Sequence, residues 1–212
     1  MLRKYQYAGA VQSLLYSFPE SMHDVQYFLW MGDYESALQL APDNEQALAA
    51  RARNSFDTQM YADAAEDYDR LLLLHPDKMS YMLNKSVCLV NMGDYEEALR
   101  LLYQLDYEHS DDKNIRRVLA WALTCDHRLE QAAKIYQQLT DTGEQPSAED
   151  YLNYGYCLWL SGDINAAADR FKSYVALQTG VDGNGSIFDD EWLHEHGISP
   201  TQVKLMQALV LA

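Results

Sequence analysis

Glycine and proline are scarce in this sequence, with 10 and 5 residues among 212. Runs of β-branched residues are almost absent, whereas alanine, leucine, glutamate and glutamine, which favour helices, are abundant. Because chain breakers and strand formers are both rare, the composition predicts an all-α protein. Hydrophobic residues make up 48% of the chain, which is enough for a packed core and excludes wholesale disorder.

Cysteine is also sparse, and the three residues lie within apolar stretches at Cys88, Cys125 and Cys157. An odd number of thiols in such positions indicates reduced, buried side chains rather than a disulfide framework. No apolar run approaches the length that spans a membrane, and the first five residues carry a basic pair without a following apolar signal core. We therefore expect a soluble cytoplasmic protein, unless a leader has been removed.

Basic residues are outnumbered two to one, since 16 lysines and arginines face 32 acidic residues and give a net charge of −16. A chain of this charge repels the phosphates of nucleic acids and the surfaces of anionic membranes. The sequence thus predicts neither a nucleic-acid partner nor a membrane partner. The charge serves either solubility alone or the binding of a protein partner with basic character.

What the sequence does contain is an internal repeat. Four alanines follow one another at intervals of 34, 34 and 35 residues, namely Ala64, Ala98, Ala132 and Ala167. Four positions beyond each alanine stands a large apolar or aromatic residue: Tyr68, Leu102, Tyr136 and Phe171. A glycine–aspartate pair recurs just before the second helix of a unit, at residues 32–33, 93–94 and 162–163.

Each recurring position has a physical reason. A small alanine lets two helices approach closely, and the large residue one turn later fills the adjoining gap. Glycine stops a helix in the left-handed conformation, and the following aspartate caps the next helix. Proline ends a unit because it cannot continue a helix interior, as at Pro42 and Pro76.

A 34-residue period with this pattern resembles the tetratricopeptide repeat (TPR). The resemblance implies an all-α fold, a right-handed alpha-alpha superhelix of helix-turn-helix repeats. Framed in this way, the complete repeats run over 45–78, 79–112, 113–147 and 148–181. The flanking parts are an N-terminal half-repeat or cap helix (1–16), a degenerate repeat with a short second helix (17–44), an acidic Gly/Asn loop with a short helix (182–198), and a C-terminal capping helix (199–212).

The resemblance also implies where a partner binds, because TPR proteins usually bind peptides or helices on the concave surface formed by the first helix of each repeat. Helical spacing selects the residues that face it. Those chosen for aromatic anchoring or for polar pairing with a peptide are Arg53, Phe56, Asn84, Arg117, Trp121, Asn153, Tyr156 and Trp159. The alternative is that the aromatic residues pack under neighbouring helices or under the terminal helix.

A subset of the family holds the carboxylate of chaperone tails with lysine, asparagine and arginine side chains. Asn84 occupies a fitting place here, but Ala49 and Leu83 stand where the lysine would be. Recognition of chaperone tails is therefore not carried over to this chain.

A twelve-residue stretch beginning at Gly180 is similar to the calcium loop of EF-hand proteins. Asp182 and Asn184 match two ligand positions, Ser186 follows the turn glycine, and Glu191 matches the closing bidentate ligand. The first ligand, normally aspartate, is glycine, so the anchoring carboxylate is missing. The alternative is an acidic surface turn, and calcium is the one cofactor that the sequence raises.

Catalytic motifs are absent from the sequence: it has no glycine-rich phosphate loop, no nucleophile elbow and no paired-cysteine motif. His194 and His196 are alternate residues, which point in different directions on a helix and do not readily share a metal ion. We expect a protein without enzymatic activity that serves as an interaction scaffold. Two alternatives stay open, a calcium-responsive protein and a self-associating structural protein, and the sequence leaves the oligomeric state undetermined.

The calcium hypothesis makes a direct prediction. A competent loop binds calcium with saturable heat in titration calorimetry and raises the melting temperature, because the ion stabilises the folded state that binds it. No response at millimolar calcium would exclude the site.

Overall fold

The computed structural model describes residues 24–141, 146–178 and 187–211, and of residue 211 it describes the backbone only. The predicted N-terminal half-repeat at 1–16 lies outside the described residues. Within the described ranges every regular element is a helix, as the composition predicts. The chain divides into two compact units, residues 1–92 and 93–212, which we call the first and the second unit.

The first unit consists of helices that pack in chain order, each against the next. They are α1 (Val25–Met31), α2 (Tyr34–Leu40), α3 (Glu45–Asp57), α4 (Tyr61–Leu74) and α5 (Met79–Asn91). Helix α2 has seven residues, half the length of α4. The core of this unit gathers small and large residues from α2 to α5, among them Leu48 and Leu71, which are fully buried.

The second unit follows the same order up to α10 and then adds two helices. Its elements are α6 (Tyr95–Glu108), α7 (Lys113–Cys125), α8 (Leu129–Asp141), α9 (Ala148–Leu160), α10 (Ile164–Leu177), α11 (Asp190–Glu195) and α12 (Pro200–Leu211). The last helix packs against α10 and α11. It places Val203, Met206 and Val210 in one cluster with residues of α9 and α10, so the end of the chain belongs to the core of this unit.

Turns between helices use the left-handed conformation that the glycines predict. Gly32 and Gly162 have φ values of 73° and 87°, and the aspartate after each caps the following helix. Two turns have no glycine, and there Gln59 and His127 adopt φ values of 61° and 57°. The turn geometry is therefore kept even where the sequence supplies a residue that is strained in this conformation.

The small and large positions of the repeat lie in the core. Ala64, Ala98, Ala132 and Ala167 are all fully buried, and so, nearly, are the four large residues that follow them. Gly155 shows how close the approach is, because a Cβ at this position would overlap the ring of Phe171. The two helices of the last repeat are therefore in direct contact at Gly155 and Phe171, and Phe171 is the large residue that the sequence pattern predicts to fill the gap between them.

This contact predicts that Gly155→Ala destabilises the protein. Alanine favours a helix over glycine by up to about 1 kcal/mol, but overpacking a core costs about 1–3 kcal/mol, and Phe171 is only 1% exposed. We expect a net loss of about 1–2 kcal/mol in the free energy of unfolding, measured by urea denaturation. The matched control adds Phe171→Leu, which makes room and should make Gly155→Ala neutral or stabilising in that background. An equal effect of Gly155→Ala in both backgrounds would contradict the contact.

Candidate peptide-binding groove

The first unit carries an open groove with a volume of about 600 Å³. Helix α3 contributes one side and helix α5 the other, with residues from α2 and α4 between them. The lining residues are Tyr34, Ala49, Ala50, Arg53, Asn54, Asp57, Tyr68, Ser80, Tyr81 and Asn84. A smaller cavity of about 250 Å³ shares Arg53 and Asn84 with it and adds Phe56 and Val87.

Helical periodicity explains why these side chains meet. Ala49, Arg53 and Phe56 are spaced by four and three residues along α3, and therefore share one face of the helix. Asn84 and Val87 lie three residues apart on α5 and share a face in the same way. The structure thus brings together the predicted residues Arg53, Phe56 and Asn84, all within the first unit.

Arg53 is exposed and forms no ion pair with any carboxylate of the described residues. Its neighbour Arg51 shows the opposite arrangement. The Arg51 guanidinium donates to both oxygens of the buried Asp67 at 2.8 and 2.6 Å, and also to Glu35 at 2.6 Å. One arginine of α3 is therefore occupied in holding helices together, whereas the other presents its donors to the groove.

Tyr68 forms part of the groove surface and stays a neutral phenol. Burial raises the pKa of its hydroxyl, although a hydrogen bond with the Asn84 side chain and the positive charge of Arg53 act against that rise. A neutral hydroxyl both donates and accepts, as does the amide of Asn84. The groove accordingly offers one cation and two groups that suit a peptide backbone, beside the apolar Phe56.

The second unit uses its predicted arginine differently. Arg117 donates from Nε and Nη2 to the two carboxylate oxygens of Asp150, at 2.7 and 2.9 Å. Asp150 is buried and also closes a capping box with Ser147 at the start of α9. The bidentate donors of Arg117 thus already hold the first turn of the neighbouring helix, and its binding of a partner stays a prediction.

The aromatic residues of the second unit are covered by the chain's own C-terminal segment. Tyr156 and Trp159 are 3% and 5% exposed, which corrects their prediction as surface anchors. The ring of Trp192, on α11, lies 5.0 Å from that of Tyr156 and 4.8 Å from that of the half-buried Trp121. The Tyr156 hydroxyl accepts a hydrogen bond from the backbone N–H of Asp189 at 3.0 Å. Burying this apolar surface against α11 removes it from water, so no open aromatic groove remains at these residues.

Asn153, the last of the predicted set, is half-buried on α9.

Trp192 was not among the predicted residues, although the sequence contains a signal for its burial. It lies with Leu193 in an otherwise acidic stretch, and a short helix with such a pair needs a surface on which to bury it.

The predicted calcium ligands are largely outside the described residues, which do not include Asp182, Asn184 or Ser186. Glu191 is described and is exposed on α11. Across 24–141, 146–178 and 187–211 no three His, Cys, Asp or Glu residues are grouped as metal ligands would be.

The three cysteines are free and buried. Burial raises the pKa of Cys88 and Cys157 to about 11 and that of Cys125 to about 12. These side chains are therefore protonated thiols at neutral pH, and they lack the thiolate that nucleophilic chemistry requires. No helix of the described residues is long and apolar enough to cross a membrane.

Comparison with known proteins gives one family. Residues 55–122 match a family model described as tetratricopeptide repeat. Among solved structures, a tetratricopeptide repeat protein from Parabacteroides merdae aligns with a TM-score of 0.61 at 17% identity, covering 99% of this chain and 80% of that one. A thermophilic TPR protein of Thermus thermophilus gives 0.60 at 13% identity over 98% and 99% of the two chains. YrrB, described as a TPR protein with an unusual peptide-binding site, gives a TM-score of 0.56 at 16% identity over 83% and 85% of the two chains.

Two relatives found by sequence are intraflagellar transport proteins. The chain is 28% identical over 147 residues to intraflagellar transport protein 70A2 of Rattus norvegicus. It is 26% identical over 147 residues to intraflagellar transport protein 70B of Homo sapiens. Each match covers 66% of this chain but only 22% of the relative, so the chain spans about a fifth of the relatives' length.

The Arg117–Asp150 pair predicts a pH dependence of stability. Burial alone would raise the pKa of Asp150, but hydrogen bonds from Arg117 and Ser147 outweigh it and hold that pKa below its ordinary value. A carboxyl with a lowered pKa stabilises the fold above its unfolded-state pKa of about 3.9, and this contribution is lost as the pH falls through the folded-state value. We expect Asp150→Asn to reduce the free energy of unfolding most at neutral pH, with the difference from wild type shrinking below about pH 4.

The measurement is urea denaturation of both proteins from neutral pH to about pH 3. Asp169→Asn is the matched control, because Asp169 is exposed on α10 and its side chain makes no ion pair with the described residues. The control should stay close to wild type throughout. A difference between wild type and Asp150→Asn that does not change with pH would contradict the assigned ion pair.

Proposed function

Since the chain is a tetratricopeptide-repeat protein, we propose that it is a non-enzymatic interaction scaffold whose first unit binds a peptide or helix of a partner protein. The binding site is the groove between α3 and α5. The observation that carries the proposal is the exposed guanidinium of Arg53, which points no donor at a carboxylate of the described residues while Arg51 and Arg117 are both fully paired.

The chemistry of the groove defines the segment that it accepts. Arg53 suits a carboxylate, either an acidic side chain or a chain terminus. The Asn84 amide suits the backbone of an extended segment, and Phe56 with Val87 suits an apolar side chain next to it. Asp57 lies four residues from Arg53 along α3, so the groove carries one negative and one positive charge. It therefore selects a segment by where its charged residues lie as well as by the sign of their charge.

Known proteins support the coarse form of this proposal. YrrB has the same fold and is described as having an unusual peptide-binding site. The relatives named for intraflagellar transport belong to a transport system, and we propose that this chain likewise works within a larger protein assembly. We propose a cytoplasmic location for it, which the free and buried cysteines support.

Affinity capture from native lysate with the full chain as bait tests the groove. The test variant carries Arg53→Ala and Asn84→Ala, two changes at exposed positions. Because Asn84→Ala also removes the hydrogen bond to the buried Tyr68, the thermal melts of all proteins are compared alongside the capture. The matched control carries Arg100→Ala and Asn165→Ala, the same residue types at exposed positions of α6 and α10. Within the part of the chain that the structure describes, Arg100 pairs only with Glu97 on its own helix, and such surface pairs contribute little to stability.

We expect wild type and the control to retain the same partner and the groove variant to lose it. Removing a charge-assisted bidentate contact and an amide costs about 2–3 kcal/mol, which is at least about a tenfold loss of affinity. Equal capture by all three proteins, with equal thermal melts, would reject the groove as the binding site.

A further inference from the structure

A second cavity of the first unit, with a volume of about 530 Å³, lies apart from the groove centre at the ends of three helices. The start of α2, the second half of α3 and the start of α4 form its walls. The lining residues are Gly32, Asp33, Tyr34, Glu35, Arg51, Asn54, Ser55, Met60, Asp63 and Glu66. It shares only Tyr34 and Asn54 with the groove. We call it the acidic pocket.

Charge in this pocket is strongly unbalanced. Four carboxylates line it, those of Asp33, Glu35, Asp63 and Glu66, against the single guanidinium of Arg51. That guanidinium is already occupied, because it donates to Asp67 and Glu35. The pocket therefore carries an excess of negative charge at neutral pH.

Three of the four carboxylates form no ion pair with the described residues. That of Asp33 caps α2 by accepting from Ser36, and the other two belong to α4. Asp63 and Glu66 stand three residues apart on α4, which places them on one face of that helix. Neither forms an ion pair with the described residues, whereas Asp67 and Asp69 of the same helix pair with Arg51 and Lys85.

The surroundings of the Ser55 hydroxyl are a second, independent indication that the acidic pocket binds a ligand. Its residue is only 6% exposed and it lines the acidic pocket, yet its hydroxyl makes no hydrogen bond with the described residues. A buried helical serine ordinarily bonds to the carbonyl one turn before it, as the Ser86 hydroxyl does to Met82 at 2.8 Å. The lone pairs of the Ser55 hydroxyl therefore stay available to a donor that enters the acidic pocket.

An organic cation fits these walls better than a metal ion does. The described residues contain no group of three side chains that could hold a metal. The Tyr34 ring and the half-exposed Met60 instead offer apolar surface to the stem of a long side chain, and the aromatic face attracts a cation.

We infer that the acidic pocket binds a basic side chain, arginine or lysine, presented by a partner polypeptide. Asp63 and Glu66 accept hydrogen bonds from the cationic head, and the Ser55 hydroxyl accepts another. This site goes beyond the groove of the proposed function, because it recognises the opposite charge through different residues.

A nuclear magnetic resonance titration of the full chain tests the inference, with N-acetyl-arginine-methylamide as the probe. The neutral isostere N-acetyl-citrulline-methylamide is the ligand control. The test variant carries Asp63→Asn and Glu66→Gln. The matched control carries Glu108→Gln and Asp111→Asn, which remove the same two charges at the same spacing from exposed positions of the second unit.

We expect saturable shifts of amide signals around Ser55 and Asp63 at millimolar arginine derivative and none with the citrulline derivative. The Asp63/Glu66 variant should bind at least about tenfold more weakly, the Glu108/Asp111 control should bind as wild type does, and Ser55→Ala should lose about threefold. Equal binding by the test variant and wild type, or shifts spread evenly over the acidic surface, would overturn the inference.

A parallel titration with spermidine separates the two sources of a cation. Tighter binding of spermidine than of the arginine derivative at the same residues would assign the pocket to a free polyamine and overturn the polypeptide partner. Arg53 and Asn84 are unchanged in every variant, so failure of the pocket and failure of the groove give different results.

Discussion

Close contact between the two helices of a repeat is the constraint on which the rest of this structure depends. At Gly155 the ring of Phe171 occupies the space that a Cβ would fill, and the recurring alanines are buried without exposed surface. Such contacts fix the rotation of each helix about its axis, because only one face is small enough to pack. Once that face is committed to the core, the residues half a turn away are left to form a binding surface or to be covered.

The two units differ in whether this second face is open or covered. In the first unit, the free face of α3 and α5 remains a groove with an exposed Arg53. In the second unit, α11 lies on the corresponding face and buries Tyr156 under Trp192. Paired arginines mark the structural positions, since Arg51 and Arg117 each hold a buried carboxylate, and breaking such a pair leaves an uncompensated buried charge.

Sequence periodicity predicted the helices and the core, because close packing requires particular side-chain sizes at fixed spacing. It also placed Arg53, Phe56 and Asn84 on a common surface, since helical geometry alone decides which residues share a face. It could not tell Arg53 from Arg117. Whether an arginine is free depends on the carboxylate that the neighbouring helix brings to it, and Asp150 lies 33 residues from Arg117. The covering of Tyr156 and Trp159 was missed for the same reason, because the position of Trp192 follows from tertiary packing rather than from a local pattern.

Hydrogen–deuterium exchange of the chain alone and with its captured partner tests most directly whether the groove of the first unit is the binding surface. A bound partner stabilises the helices that it contacts and slows the exchange of their backbone amides, so the slowed amides mark the binding surface. The account predicts added protection in α3 and α5, at residues 45–57 and 79–91, with α7 and α9 unchanged. Protection confined to α7 and α9, at residues 113–125 and 148–160, would contradict it, because the partner would then have displaced the C-terminal segment and used the aromatic surface beneath.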